Sequence, residues 1–257
     1  MRATWLTSDF ATYPGLADVP ARLSFPSPFT LGDYKRYIRA MFSQARSGEE
    51  KDGDVDEVAL LRQYRAALAV AHVAEDGAAD EAAPFSLADI DPDDEALPMV
   101  WVTWVTDMAD AYIGPQIIVE TPQQIMARRM AYLGRSATFE TAAWLRLLPD
   151  LRAYAGNVTF REPFTKRDYR SWRKGIEVSA KHDPRDVENS VLLRQYRAAL
   201  TLINHWSVED VPYALLKENG GDGVPLPVVS WLVEAADTFL SRRLNPKKLP
   251  AMSAMRS

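Results

Sequence analysis

At 257 residues the chain is long enough for one large core or two modest ones, and 47% hydrophobic residues with seven tryptophans mark a folded protein, not a disordered or fibrous one. It contains no cysteine, which excludes disulfides, thiolate-bound metals and cysteine nucleophiles and fits a reducing compartment. The net charge of −5 is uneven: residues 1–160 hold 14 basic and 23 acidic side chains, a balance of −9, whereas residues 161–257 hold 16 and 12, a balance of +4. Such opposite fields bear on association more than on fold.

The first residues, Met1-Arg2-Ala3-Thr4-Trp5-Leu6-Thr7-Ser8-Asp9, lack the apolar core of a signal peptide, and no run reaches the ~20 apolar residues a membrane span needs. The expectation is a cytoplasmic protein without a membrane partner. Residues 1–21 read as an N-terminal arm.

From residue 22 onward the chain is a module written twice. Leu-Leu-Arg-Gln-Tyr-Arg-Ala-Ala-Leu occurs at 60–68 and again at 192–200, flanked in both places by a second and a third matching block. The first block starts extended, at Leu23-Ser24-Phe25 and Val158-Thr159-Phe160, and is stopped by Pro28 and Pro163. Thr30 and Thr165 then stand as helix N-caps with Asp33 and Asp168 three residues on, a capping-box pattern, and Phe29 and Phe164 occupy staple positions before them.

The second block begins with acids, Asp54-Val55-Asp56-Glu57 and Asp186-Val187-Glu188-Asn189, which suit a helix N-terminus. Its helix runs through the nonapeptide, where Leu61, Tyr64 and Leu68, like Leu193, Tyr196 and Leu200, share one face. The third block, Trp101 to Ile113 and Val228 to Leu240, is preceded by Pro98 and Pro225 and carries Asp110 and Asp237 at matching places. These aspartates are expected to face Arg65 or Arg62 in the first copy and Arg197 or Arg194 in the second. The identity of Arg62, Gln63 and Arg65 with Arg194, Gln195 and Arg197 is not demanded by a core, so the arginines, the glutamines and the two aspartates are the candidate partner-binding or inter-helix residues.

Between the second and third blocks the copies diverge: residues 75–95 hold nine acids and no base, and His205 to Gly223 ends in Asn219-Gly220-Gly221-Asp222-Gly223; both stretches read as loops. Residues 114–156 read as a packed helical connector, with Thr121-Pro122 as a helix start and an apolar run at Trp144, Leu145 and Leu148. The expected architecture is mainly α: two copies of a three-helix module (22–113 and 157–241), each preceded by a short extended or β segment, joined by that helical connector and followed by a basic tail from 242.

Catalytic signatures are sparse. His72, His182 and His205 have no zinc-ligand spacing, and there is no Gly-x-Ser-x-Gly elbow or phosphate-binding glycine loop. Asp89, Asp91, Asp93, Asp94 and Glu95 alternate like calcium ligands, but Pro92 interrupts them, the sixth-position glycine is missing and Val100 replaces the bidentate acid, so a solvated acidic loop is the better reading. Lys166, Arg167, Arg170, Arg173 and Lys174 around Tyr169 and Trp172 have the composition of a nucleic-acid surface, although a solvated helix face is the better reading. No catalytic residue, metal or cofactor is expected.

The stretches Thr159-Phe160-Arg161-Glu162-Pro163-Phe164-Thr165, His205-Trp206-Ser207-Val208-Glu209-Asp210 and Pro225-Leu226-Pro227-Val228-Val229-Ser230-Trp231-Leu232 resemble small helical phage tail assembly chaperones. Members of that family are usually shorter and single-copy, and the first copy here has the acidic segment in place of the Trp-containing loop. The resemblance implies a cytoplasmic, non-enzymatic assembly factor that binds an elongated tape-measure protein and is absent from the finished particle. Two similar surfaces on one chain also suit avid binding of a repetitive partner. The competing expectations are a structural component of a virion or phage-like particle, with self-association open, and, more weakly, a nucleic-acid-binding adaptor.

Overall fold

The computed structural model describes residues 3–9, 13, 16, 21–43, 55–75, 98–117, 136–177 and 190–244. The chain divides into two units, one comprising Met1–Ile117, Asp183–Val187 and Gly221–Leu226, the other Ile118–His182, Glu188–Gly220 and Pro227–Ser257. In the first, chain order is β1 (Thr4–Leu6), β2 (Ala21–Ser24), α1 (Leu31–Ser43), α2 (Val55–Leu68), β3 (His72–Glu75) and α3 (Met99–Ile113). The second repeat runs β4 (Thr138–Glu140), β5 (Gly156–Phe160), α4 (Lys166–Ile176), α5 (Val191–Leu200), β6 (Ile203–Val208) and α6 (Leu226–Leu244).

This corrects the all-α expectation. Among the described residues each copy carries a three-stranded antiparallel sheet, β1-β2-β3 and β4-β5-β6, beside its three helices, so the fold is mixed α/β. Nor is the connector α-helical over its described part: it holds β4 and three short 3-10 turns, Gly114–Gln116, Thr141–Trp144 and Pro149–Ala153, and His205 falls in a strand, not a loop. Strands of three to six residues display at most three alternations, too few for a period of two to stand out against the long 3.6-residue pattern of the helices. The helix start at Thr121-Pro122, the acids Asp54 and Asp186 to Asn189, and residues 76–97 lie outside the described residues.

The duplication reaches into the hydrogen bonds of the arm. Thr7 follows β1 and brackets the start of β2: the Ala21 N–H donates to its Oγ1 at 2.9 Å, and its hydroxyl donates to the Ala21 carbonyl at 3.3 Å. Thr141 does the same to Gly156 at 3.0 and 3.2 Å. Both threonines are buried, so Thr7→Val or Thr141→Val keeps the shape while stranding two backbone groups. The expected cost is about 1–3 kcal/mol for each, read as a lowered urea midpoint; an unchanged midpoint would show that water replaces both bonds.

Each core is organised around one aromatic ring of the last helix. Tyr112 of α3 stacks on Phe25 at 5.2 Å and meets Trp5 and Phe29 edge-on at 5.9 and 5.8 Å. Phe239 of α6 meets Phe160 at 5.0 Å and Phe164 at 5.8 Å, with Phe139 against Phe160 at 5.6 Å. The same four positions therefore form the same cluster twice, one ring from the first strand, one from the second strand or the residue just after it, one from the Pro-Phe-Thr turn and one from the last helix.

The nonapeptide supplies the middle helix. Tyr64 and Tyr196 are fully buried but satisfied differently: the Trp101 indole N–H donates to the Tyr64 hydroxyl at 2.9 Å, whereas the Tyr196 hydroxyl donates to the Leu216 carbonyl at 2.8 Å. Burial pushes the Tyr64 phenol up to about 12 and raises Tyr196 as well. The paired alanines Ala66-Ala67 and Ala198-Ala199 are fully buried. At Gly175 of α4 a Cβ would lie 2.6 Å from the Ala198 Cα, so the second copy brings its first two helices close enough to need a glycine and an alanine face to face.

Candidate functional site

The capping boxes position the most polar feature of each unit. The Thr30 N–H donates to Asp33 Oδ2 at 2.8 Å and the Asp33 N–H returns to Thr30 Oγ1 at 3.3 Å; Thr165 and Asp168 repeat this at 2.9 and 3.3 Å. The Thr165 hydroxyl and backbone hydrogen bonds hold the Asp168 carboxyl below its ordinary 3.8. A depressed folded value stabilises the protein above the unfolded value and is lost as pH falls through the folded one. The second unit is therefore expected to lose stability below about pH 3.8, and Asp168→Asn to flatten that acid limb of the stability curve; an unaltered limb in the variant would assign the acid loss elsewhere.

In the first unit the start of α1 is covered by Gly221–Leu226. Leu31 N–H donates to the Val224 carbonyl at 2.8 Å, Gly32 N–H to the Asp222 carbonyl at 2.9 Å, and Leu226 N–H to the Phe29 carbonyl at 2.8 Å, while Thr30 and Pro225 form an antiparallel bridge. Two of the helix's orphan donors are satisfied by this backbone. Lys35, only 4% exposed, sends its Nζ to Asp222 Oδ1 at 2.6 Å. Beside this contact lies a cleft of about 380 Å³ lined by Thr30, Gly32, Asp33, Lys35, Arg36, Arg39 and Asp222, in which Arg36 pairs with Asp33. The groups are three cations, Lys35, Arg36 and Arg39, beside the carboxylates of Asp33 and Asp222.

The second unit has a cleft of about 370 Å³ over strand β6, lined by Arg161, Ile203, Asn204, His205, Trp206 and Tyr213. Trp206 donates its indole N–H to the Val211 carbonyl at 2.7 Å and its ring lies 5.7 Å from Trp231, so its orientation is set by the core. His205 and Asn204 are exposed. Arg161 reaches Asp168 at 3.8 Å and Lys217 caps the Tyr213 ring at 4.5 Å. Among the described residues no group of three or more His, Asp or Glu could hold a metal.

Strand register aligns two histidines that sequence spacing does not. His72 pairs with Ser24 across β2–β3, and His205 pairs with Thr159 across β5–β6. Ser24 and Thr159 are equivalent, so His72 and His205 occupy one position, exposed in both units. Counting from the nonapeptide puts His72 opposite Asn204; the irregularity at Thr159/Phe160 supplies the missing residue.

The candidate polar residues separate by environment. Arg62, Gln63 and Arg65 are half-buried on α2; Gln195 and Arg197 are exposed on α5. Arg194 donates from Nη1 to the Ile176 carbonyl at 3.4 Å, placing a cation at the C-terminal end of α4. Asp110 is exposed on α3, its carboxyl raised by desolvation and then by Asp107, and its charge in turn adds to the rise of the Tyr37 phenol. Asp237 is half-buried on α6. The sequence does not single out Lys35, Asp222, Arg161 or Tyr213 as site residues; the shared Pro98 and Pro225 are the one hint that the approach to each last helix matters.

No protein-family model, no curated protein and no solved structure matches the chain. Among the described residues no helix is long and apolar enough to cross a membrane.

Proposed function

We propose that the protein is a non-enzymatic binding and assembly factor for an elongated or repetitive protein partner, of the kind its resemblance to phage tail assembly chaperones implies. The observation that carries this reading is the repetition of one β-β-α-α-β-α unit down to its hydrogen bonds, with an exposed histidine at the same register of β3 and β6. Both strands stand last in their sheets among the described residues. An edge strand offers unpaired backbone donors and acceptors to an extended segment of another chain. Two such edges on one chain favour a partner that presents the same feature more than once, because the second contact forms at high effective concentration. The exposed Gln195 and Arg197 of α5, with Arg62, Gln63 and Arg65, are the side chains proposed to read that partner, together with Asp110, Arg194 and Asp237 where they set the helices that carry them.

The test is co-purification through assembly. The tagged full chain, expressed in its native host, should recover a long helical protein from assembly intermediates and be missing from finished particles. Retention at fixed stoichiometry in finished particles would replace the chaperone reading with that of a structural component. Recovery of nucleic acid that survives washing in high salt would favour the adaptor reading instead.

A further inference from the structure

The seat that Gly221–Leu226 fills in the first unit has a counterpart whose described residues are exposed. Alignment through Trp104 and Trp231 makes residues 94–99 the equivalent of Gly221–Leu226: Leu97-Pro98-Met99 corresponds to Val224-Pro225-Leu226, and Glu95 to Asp222. Leu226 is fully buried in its place, whereas Met99 is 50% exposed. The start of α4 corresponds to the seat itself. Where Leu31 and Lys35 are buried under the docked segment, the equivalent Lys166 and Arg170 are exposed, as are Thr165 and Arg167. By sequence each repeat thus carries one arm and one seat, and among the described residues the second arm is joined to the first seat.

We propose that the start of α4 receives residues 94–99 of a second copy of this chain, so that molecules associate head to tail. Three features favour that occupant. The arm and seat are the same chemical pair already seen together once, with the Pro98 bridge to Thr165 repeating that of Pro225 to Thr30. Charge is complementary and specific to the pairing: residues 89–95 bring five carboxylates, the seat brings Lys166, Arg167 and Arg170, and Glu95 falls opposite Arg170 as Asp222 falls opposite Lys35. The opposed balances of −9 and +4 for residues 1–160 and 161–257 steer the same encounter. One departure shifts the fit. Arg167 stands where Gly32 allows close approach, and a Cβ there would come within 3.0 Å of the segment's carbonyl oxygen, so the incoming arm sits a few tenths of an ångström further out.

Because arm and seat are different surfaces, the contact is heterologous and repeats, giving open chains or rings instead of a closed two-fold dimer. It needs no other protein, so it can fail while the partner reading stands. Sedimentation of the full wild-type chain at low salt should show a weight-average mass that climbs past the dimer with concentration and falls back as salt is raised. Arg170→Glu and Glu95→Lys should each weaken association roughly tenfold or more without moving the melting temperature, and the double variant should restore it. A single-chain mass at every concentration would overturn the proposal, since it would leave the arm unused or folded back in cis. So would a closed dimer, association indifferent to both substitutions, or a double variant no better than either single one.

Discussion

Gly156→Ala is expected to be among the most damaging single-methyl additions in the chain, costing roughly 3 kcal/mol or more and lowering the melting transition of the second unit by roughly 10 °C. Gly156 opens β5 with φ +154°, and a Cβ there would lie 1.9 Å from the Ser207 carbonyl oxygen and 2.6 Å from the Val208 Cα of β6. Both obstacles are backbone, so no rotamer change relieves them; the β5–β6 pairing or the Thr141 bracket must open. The same position in the first unit is Ala21, whose φ is not positive. Ala21→Gly should therefore cost only the roughly 0.5–1 kcal/mol of added chain entropy. Hydrogen exchange reads the two sheets separately: in Gly156→Ala the β5 and β6 amides should lose protection while β2 and β3 keep theirs. Equal loss in both sheets, or a cost below that of Ala21→Gly, would mean that the strand relaxes around the methyl group.

How far the sequence spoke depended on the length of each signal. The duplicated nonapeptide, the Pro-Phe-Thr turn and the capping boxes each place several chemically distinctive residues in a row, and each identifies a helix or its start correctly. Of the strands, only β2 and β5 are legible, as the extended starts Leu23-Ser24-Phe25 and Val158-Thr159-Phe160; the other four are not, for the opposite reason. Thr4-Trp5-Leu6 and Thr138-Phe139-Glu140 share one threonine and one aromatic ring, and nothing local shows that they are equivalent; the equivalence comes from the bracket that Thr7 and Thr141 form fourteen and fifteen residues later. The histidine pair was hidden by a single extra residue in β6. The arginines illustrate a different limit. Their repetition is plain in the sequence, but which group each faces depends on helix packing, and Arg194 donates to the Ile176 carbonyl at the end of α4. The arm and seat were nearly invisible, because a docked segment held by backbone hydrogen bonds imposes little on side chains beyond Pro225 and Asp222.

Phe239→Ala is expected to cost about 3–5 kcal/mol, the loss for a buried aromatic ring whose neighbours cannot close the gap. Phe239 is fully buried and central: Phe160 lies against it from the sheet, Phe164 from the turn before α4, and the Arg243 guanidinium covers its remaining face at 3.6 Å. Arg243 also donates to the Phe239 carbonyl at 3.1 Å and pairs with Glu162, next to the turn proline. Removing the ring thus loosens the three segments that meet at the entry to α4, and the shared cation with them. Tyr112→Ala removes the equivalent ring, which touches Trp5, Phe25 and Phe29 and also donates to the Pro26 carbonyl, so its cost should match or exceed that of Phe239→Ala. The informative comparison is where each loss falls. If the clusters are independent copies, denaturant midpoints followed by exchange of β5 amides should move in Phe239→Ala alone, and those followed by β2 amides in Tyr112→Ala alone. Phe239→Ala costing under about 1 kcal/mol would show that Phe160 and Phe164 can collapse into the space, and the turn before α4 would not owe its position to the aromatic cluster.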